Sequence, residues 1–113
     1  MKPGEYIEPS EFHKLEIRVG TVLAAEVFGQ ARKPALKIRI DFGDYGIRKT
    51  SAQITRLYRP EDLPGKQVVA VVNLPPKQIA KTVRECLVLG GVDGEEVTLL
   101  APDKPVKNGL RIG

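Results

Sequence analysis

The sequence predicts an all-β fold, a small closed barrel built from five strands. Three observations support this fold class. A long strand-like run occupies residues 17–27, and a long coiled first strand suits a small barrel. Residues 35–42 alternate apolar and charged side chains, as a half-buried strand does. Turn-forming residues separate the other apolar runs, and one short helical segment lies between them.

Glycine and alternation define the first three strands. In the first strand, Gly20 predicts a bulge or a sharp bend, because glycine tolerates the distorted backbone. In the second strand, every other residue from Leu36 to Phe42 is apolar, and the residues between them are charged. Residues 43–46 (GDYG) form a hairpin turn into a third strand at residues 47–52.

A short helix and a valine-rich run continue the barrel. Residues 54–58 predict a short helix that ends before Pro60. The fourth strand, at residues 66–72, is rich in valine and alanine, which suits a central strand covered on both faces. A fifth strand is predicted at residues 85–89.

A C-terminal extension, residues 91–113, follows the fifth strand. Its sixth strand, at residues 96–101, is reached through a turn containing Asp93-Gly94, a strong hairpin signal. Five strands with one short helix between the third and the fourth, followed by such an extension, is the order of an OB-fold. The predicted architecture is therefore a five-stranded Greek-key barrel.

The chain is predicted to be a single domain, residues 1–113. Residues 1–16 form an N-terminal arm with one helical turn capped by Ser10, and Phe12 and Leu15 attach it to the barrel. Because five strands close the barrel, the apolar residues of the extension need another surface to cover them. We therefore expect a homodimer with the extension in its interface. The apolar residues concerned are Val97, Leu99, Leu100, Val106, Leu110 and Ile112.

The basic residues are concentrated in the middle of the chain. Residues 1–16 carry a net charge of −2, residues 17–90 one of +7 and residues 91–113 one of −1. A cationic body between weakly acidic ends attracts polyanionic or acidic partners. A solvated, lysine-rich surface without a ligand is the alternative interpretation.

Catalytic, redox and metal chemistry find little support in the composition. His13 is the single histidine, which excludes a two-histidine zinc site, and Cys86 is the single cysteine, which excludes an internal disulfide. The phosphate-binding glycine motifs do not occur. We expect a non-enzymatic protein without a cofactor. Since no apolar run has membrane-spanning length and the start lacks a signal peptide, we also expect a cytoplasmic protein without membrane insertion.

Five blocks of the sequence resemble the tRNA-binding domain of the EMAP II type. They are residues 17–22 (IRVGTV), 50–55 (TSAQIT), 58–63 (YRPEDL), 72–77 (VNLPPK) and 85–90 (ECLVLG). The resemblance covers residues 12–113 and is strongest to the small stand-alone CsaA branch. It implies an OB-fold homodimer without enzymatic activity. The branch is regarded as a chaperone for unfolded, pre-export polypeptides and shares its fold with proteins that bind tRNA by shape.

This sequence departs from the family pattern at two positions. Lys81 stands where the family usually has glycine, and Arg84 stands where it usually has serine. The serine belongs to the surface that touches RNA in the tRNA-binding relatives. An arginine there retains affinity for phosphate but changes the detailed contact, and Lys81 removes a permissive backbone position.

The first candidates for a ligand-binding face lie between the fourth and fifth strands. Lys77, Lys81 and Arg84 make this connection basic, and Asn73 adds a polar group at the end of the fourth strand. Two buried strands hold the connection, which is the usual arrangement for a binding loop.

Further candidates lie on the second and third strands. Lys37 and Arg39 project from the exposed face of the second strand, and OB-folds bind ligands along such a face. The resemblance adds Lys33, Lys49 and Gln53, which match positions within the family's shared blocks.

Two ligands remain open at the level of the sequence. The resemblance favours unfolded or pre-export polypeptides, for which Phe28, Leu74, Pro75 and Ile79 offer an apolar groove. The basic middle of the chain favours tRNA. With three tyrosines, three phenylalanines and no tryptophan, recognition of phosphate shape is favoured over base stacking on aromatic rings.

Overall fold

The barrel is organised around its long first strand, β1. A computed structural model describes residues 4–113 and contains ten strands among them. They are β1 Ile17–Val27, β2 Leu36–Asp41, β3 Ile47–Ala52, β4 Gln67–Val71, β5 Lys77–Ile79, β6 Thr82–Arg84, β7 Leu87–Val88, β8 Gly90–Asp93, β9 Glu96–Leu99 and β10 Arg111–Ile112. Residues 1–3, the start of the predicted arm, lie outside the described residues.

The main sheet runs in the order β3-β2-β1-β4-β7, and β10 adds to the start of β1. All of its pairings are antiparallel. The segment before β7 returns to β3, where the Glu85 backbone N–H donates to the Lys49 carbonyl at 2.9 Å. The Thr50 hydroxyl donates to the Cys86 carbonyl at 2.7 Å. These bonds close the sheet, so the predicted OB-type barrel is confirmed.

The distortion in β1 lies three residues beyond the predicted position. The register with β2 shifts between Val22 and Ala24, which places the bulge at Leu23 rather than at Gly20. Gly20 serves a packing role instead. A Cβ atom at this position would lie 2.5 Å from Ile40 Cγ2 and 2.7 Å from the Phe42 ring, so only glycine fits.

Two buried clusters lie on opposite faces of β1 and β4. The apolar positions of the second strand, from Leu36 to Phe42, fill the barrel and are almost fully buried, as the alternation predicts. On the other face, Ile17, Val19 and Val71 form a smaller cluster. Burial on both faces explains the continuous apolar sequence of β4.

The helical segments differ from their predictions. Residues 54–58 form a single hydrogen-bonded turn, closed by the Tyr58 N–H on the Ile54 carbonyl at 3.2 Å. No helix develops there, because Arg59 precedes proline and takes an extended conformation (φ −101°, ψ 156°). The one α-helix among residues 4–113 is α1, Pro9–Phe12.

The start of α1 is set by a proline. Pro9 occupies the first helical turn, which makes Glu8 the N-cap in place of the predicted Ser10. The Glu8 N–H is 3.4 Å from Glu11 Oε1. Leu15 packs against the smaller apolar cluster as predicted, but Phe12 is 39% exposed.

The connection between the fourth and fifth predicted strands is itself a hairpin. β5 and β6 pair with each other, and their turn consists of Ala80 and Lys81. The left-handed residue of this turn is Ala80, with a φ of +51°, and not Lys81, where the family usually has glycine. The predicted fifth strand is correspondingly short, since only Leu87–Val88 pairs with β4.

The C-terminal extension covers the barrel of its own chain. The predicted hairpin at Asp93-Gly94 is present and joins β8 to β9. The premise that six apolar residues of the extension need a partner chain is wrong for four of them. Val97 and Leu99 pack on the main core, and Val106 and Ile112 pack on the smaller cluster. The other two, Leu100 and Leu110, are 47% and 46% exposed.

The helices in the part of the chain that the structure describes are short. The α-helix found there has four residues, and no helix in residues 4–113 has the length and hydropathy needed to cross a bilayer.

Candidate nucleic-acid interface

The outer face of β1, β2 and β3 carries the strongest group of predicted site residues. Leu36, Ile38 and Ile40 point into the barrel, so Lys37 and Arg39, which alternate with them, point outward. Arg39 faces Lys49 across the β2–β3 ladder. Three of the predicted residues therefore share one surface because of strand alternation and register.

A groove of about 330 Å³ lies on this face. We call it the basic groove. Lys37, Arg39 and Lys49 border it from the sheet, and Lys81 reaches it from the turn of the β5–β6 hairpin. Small or apolar residues complete the lining, namely Ala24, Ala25, Ile38, Thr50 and Thr82, together with Glu26. The structure thus brings Lys81 to the face that the strand pattern predicted.

The electrostatics of the basic groove are strongly one-sided. Its lining contains four cations and one carboxylate. Glu26 Oε1 lies 3.6 Å from Lys37 Nζ, and both side chains are well exposed. Within residues 4–113, Arg39, Lys49 and Lys81 form no ion pair. These three cations are therefore available to an anionic ligand.

Lys33 and Gln53 line a second groove, of about 410 Å³. We call it the hairpin groove, since the β8–β9 hairpin forms one wall. Sequence reasoning missed this wall and the turn after β3, although Val92, an apolar residue next to the Asp93-Gly94 turn, was a signal. The lining residues are Lys33, Pro34, Gln53, Thr55, Arg56, Val92, Gly94, Glu95 and Val97.

Lys77 and Arg84 lie apart from both grooves. They are register partners on β5 and β6, so they support the hairpin whose turn carries Lys81. Neither is among the residues that line the basic groove or the hairpin groove. The three cations of the connection are therefore not one cluster, and Lys81 alone joins those of the sheet.

Asn73 ties the N-terminal arm to the barrel. Its Oδ1 accepts the Glu16 N–H at 2.7 Å, and its Nδ2 donates to the Lys14 carbonyl at 2.7 Å. Both ends of the side-chain amide are thus engaged within the chain. This contact accounts for an asparagine at the end of β4.

The four apolar residues considered for a polypeptide groove do not lie together around either groove. Phe28 is 4% exposed, with Lys37 Nζ 5.4 Å from the centre of its ring. Leu74 packs against the smaller apolar cluster. None of the four, including Pro75 and Ile79, lines the basic groove or the hairpin groove.

The groups with shifted pKa values have structural rather than chemical roles. Burial raises the pKa of the Cys86 thiol to about 12, so the thiol stays protonated in the core. Hydrogen bonds from Arg18 and Arg111 lower the pKa of Glu16. Within residues 4–113, there is no cluster of three or more His, Cys, Asp or Glu residues that could hold a metal ion.

Residues 17–111 match the family described as "Putative tRNA binding domain". This match spans most of the chain, from the start of β1 to the first residue of β10. The chain therefore belongs to the tRNA-binding-domain family.

Solved structures place the chain within that family. Chaperone CsaA from Bacillus anthracis shares 49% identity and a TM-score of 0.92, over 96% of this chain and 99% of that one. CsaA chaperone protein from Picrophilus torridus shares 45% identity and a TM-score of 0.90, over 96% of this chain and 100% of that one. The chain is a CsaA-type tRNA-binding-domain protein, as the sequence blocks predicted.

Curated relatives include much longer enzymes. The methionine–tRNA ligase of Thermococcus kodakarensis is 38% identical over 111 residues, which is 98% of this chain and 15% of the ligase. That of Pyrococcus horikoshii is 35% identical over 111 residues, again 98% of this chain and 15% of the ligase. The chain thus spans about 15% of the length of these relatives.

Proposed function

We propose that this chain is a non-catalytic binding protein whose basic groove holds the phosphate backbone of tRNA. The observation that carries the proposal is the lining of that groove, in which four cations surround small side chains. Small residues such as Ala24 and Thr82 let a phosphate approach the surface, and the cations replace its counterions. Such contacts position a folded RNA by its shape and carry little sequence information.

The comparisons support the same ligand. The family description names tRNA binding, and the curated relatives are methionine–tRNA ligases. None of the residues that line the groove is aromatic. The groove is therefore better suited to binding phosphates than to stacking against bases.

Titration of unfractionated tRNA at several salt concentrations tests the proposal. The triple variant Arg39→Gln, Lys49→Gln, Lys81→Gln removes the three cations without ion pairs. A plot of log affinity against log salt concentration should have a shallower slope for this variant than for the wild type. The slope should decrease by roughly 0.7–0.9 for each phosphate that the variant no longer neutralises.

A charge-matched variant controls for the loss of net charge alone. Lys14, Lys104 and Lys107 are exposed and lie outside the basic groove. Their replacement by Gln changes the net charge equally and should leave most of the tRNA affinity. Equal weakening by the two triple variants would contradict a localised tRNA site.

Binding of unfolded or pre-export polypeptides is a second candidate function. The two solved CsaA structures are described as chaperones. Exposed apolar residues support it, since Tyr6, Ile7 and Val92 are 77%, 64% and 74% exposed. We propose that either activity would belong to a homodimer in the cytoplasm.

Salt separates the two candidates. Burial of apolar surface contributes about 25 cal/mol per Å², and salt screens it little, so polypeptide binding should persist where tRNA binding is abolished. An unfolded polypeptide should be titrated beside tRNA over the same salt range. Polypeptide binding at every salt concentration together with no tRNA binding at low salt would make the chaperone function the primary one.

A further inference from the structure

The hairpin groove differs in character from the basic groove. Pro34, Val92 and Val97 give it apolar walls, and Gln53 and Thr55 place polar groups between them. Two cations line it: Arg56 is paired with Glu95, and this pair joins the turn after β3 to the β8–β9 turn, whereas Lys33 forms no ion pair within residues 4–113. The groove therefore offers a partly apolar surface with hydrogen-bonding groups and a net charge of one, against three in the basic groove.

The two grooves follow one another along the same ladder. Residues 49, 51 and 53 alternate along β3 and just beyond its end, so their side chains lie on one face. Lys49 lines the basic groove and Gln53 lines the hairpin groove. Four residues of extended chain separate them by about 13 Å, which a short stretch of an extended polymer can span.

We propose that the hairpin groove receives an unpaired nucleobase of the RNA whose phosphates lie in the basic groove. The inference rests on the proposed function and names a second part of the same ligand. An amide can both donate to and accept from the edge of a base, and Gln53 is the exposed amide in this groove. Because Arg56 is neutralised by Glu95, Lys33 is left as one unpaired cation of this lining within residues 4–113, and the groove suits an uncharged base better than the basic groove does.

The volume and the walls are consistent with this occupant. At about 410 Å³ the groove falls within the range of roughly 300–1,000 Å³ found for small-ligand sites. None of its lining residues is aromatic. The base would therefore be held by its edge and by contact with Pro34 and the two valines rather than by stacking on a ring.

The first experiment compares two RNA ligands on three proteins. Single-stranded RNA of mixed sequence and a blunt-ended RNA duplex are titrated into the wild type, Gln53→Ala and the matched control Gln30→Ala. Gln30 is an exposed amide outside both grooves. Gln53→Ala should weaken single-strand binding about three- to ten-fold, the effect expected of removing one hydrogen bond, and leave duplex binding and the salt slope unchanged.

The second experiment identifies the recognised group directly. Nucleoside 5′-monophosphates and ribose 5-phosphate are added to labelled protein, and the NMR signals of the Gln53 side-chain amide and the Val92 methyl groups are followed. The nucleotides should shift these signals and ribose 5-phosphate should not, because only the nucleotides carry a base.

The outcomes distinguish the two proposals. If wild type binds RNA through the basic groove but Gln53→Ala binds single strands equally well, the base site is wrong and the phosphate site stands. If Gln53→Ala weakens binding of an unfolded polypeptide and not of RNA, the groove is a polypeptide site. If the wild type binds no RNA at low salt, both proposals fail.

Discussion

Gly20 shows how a single missing side chain permits the packing of β1 against the barrel core. A methyl group there would lie 2.5 Å from Ile40 Cγ2. Gly20→Ala should therefore lower the free energy of unfolding by about 1–3 kcal/mol, the usual cost of overpacking a core. Urea denaturation measures this, with Gly29→Ala as the control, since nothing lies within 4 Å of a Cβ at Gly29. Equal stability of the two variants would refute the packing role.

Cys86 should be unreactive in the native state. It is 3% exposed, and burial raises its pKa from 9.0 to about 12. A thiol reagent at pH 8 should react at a rate limited by unfolding, because the thiolate is the nucleophile. Rapid native-state labelling would contradict this.

The same pKa shift predicts a dependence of stability on alkaline pH. The unfolded thiol loses its proton near pH 9 while the folded thiol keeps it to about pH 12, so deprotonation favours the unfolded state in this window. Wild type should lose more stability than Cys86→Ala as the pH rises through it. Parallel curves for the two proteins would show that the thiol contributes nothing.

The sequence predicts the role of a residue well when that role follows from strand alternation. It does not predict the role when it depends on contact with a residue that is distant along the chain. The inward positions from Leu36 to Phe42 can be assigned because a strand has a period of two. Nothing in the sequence shows that Gly20 faces Ile40, which is distant along the chain. The sequence therefore predicts a bulge at Gly20, whereas the bulge lies at Leu23.

At the scale of elements, Glu16 connects the N-terminal arm, β1 and β10. Its carboxylate accepts hydrogen bonds from Arg18 and Arg111, and Arg111 also donates to the His13 carbonyl at 3.1 Å. The two arginines hold the Glu16 pKa below its ordinary value of 4.5. These hydrogen bonds thus connect the N-terminal arm to β1 and to β10.

This network predicts an acid-sensitive contribution to stability. Because the folded-state pKa of Glu16 is lowered, its contribution is present above about pH 4.5 and is lost as the pH falls through the folded pKa. Glu16→Gln should be less stable than wild type at neutral pH, and the difference should shrink in acid. Thermal unfolding measures it, with Glu5→Gln, an exposed residue of the arm, as the control. A constant difference at every pH would contradict the role of the charge.

Elements with strong periodicity were predictable, and short elements were not. The observed bounds of β1 and β3 agree with the predicted ones, and β3 directly follows the turn at residues 43–46. Residues 54–58 have helical character but too little length before Pro60, so one turn is all that forms. The β5–β6 hairpin escaped prediction because Ala80-Lys81 lacks the glycine or asparagine that usually marks such a turn.

At the scale of the whole molecule, we expect a homodimer. The 12.4 kDa chain exposes Leu100 and Leu110 of the extension, which a symmetric partner would cover. Light scattering coupled to gel filtration should report about twice the mass of one chain at micromolar concentration. A single-chain mass under those conditions would contradict this.

Truncation separates the role of the extension in folding from a role in dimer formation. Deletion from Pro102 onward removes Val106 and Ile112, which cover the smaller apolar cluster of the same chain. We therefore expect aggregation or loss of stability from this deletion. The double variant Leu100→Ser, Leu110→Ser should instead favour a folded monomer, since both residues are about half exposed.

The fold could be predicted as a whole, whereas the positions of the candidate site residues could be predicted only in part. Alternation indicates that Lys37 and Arg39 share a face, whereas Lys49 came from the family resemblance and lies opposite Arg39 through the β2–β3 register. The meeting of Lys81 with that face, and the wall that the β8–β9 hairpin adds beside Gln53, depend on contacts between distant segments. Long-range contacts of this kind leave no local pattern in one sequence.

The pairing of β10 with the start of β1 also determines where a label or a fused domain can be joined to the chain without covering the basic groove. Ile17 lies opposite Ile112, so the two ends of the barrel emerge side by side. The basic groove borders the other half of β1, at Ala24 and Ala25, about 23 Å along the strand from Arg18. A fluorophore, a surface tether or a fused domain joined at Gly113 should therefore leave the groove open to a large ligand.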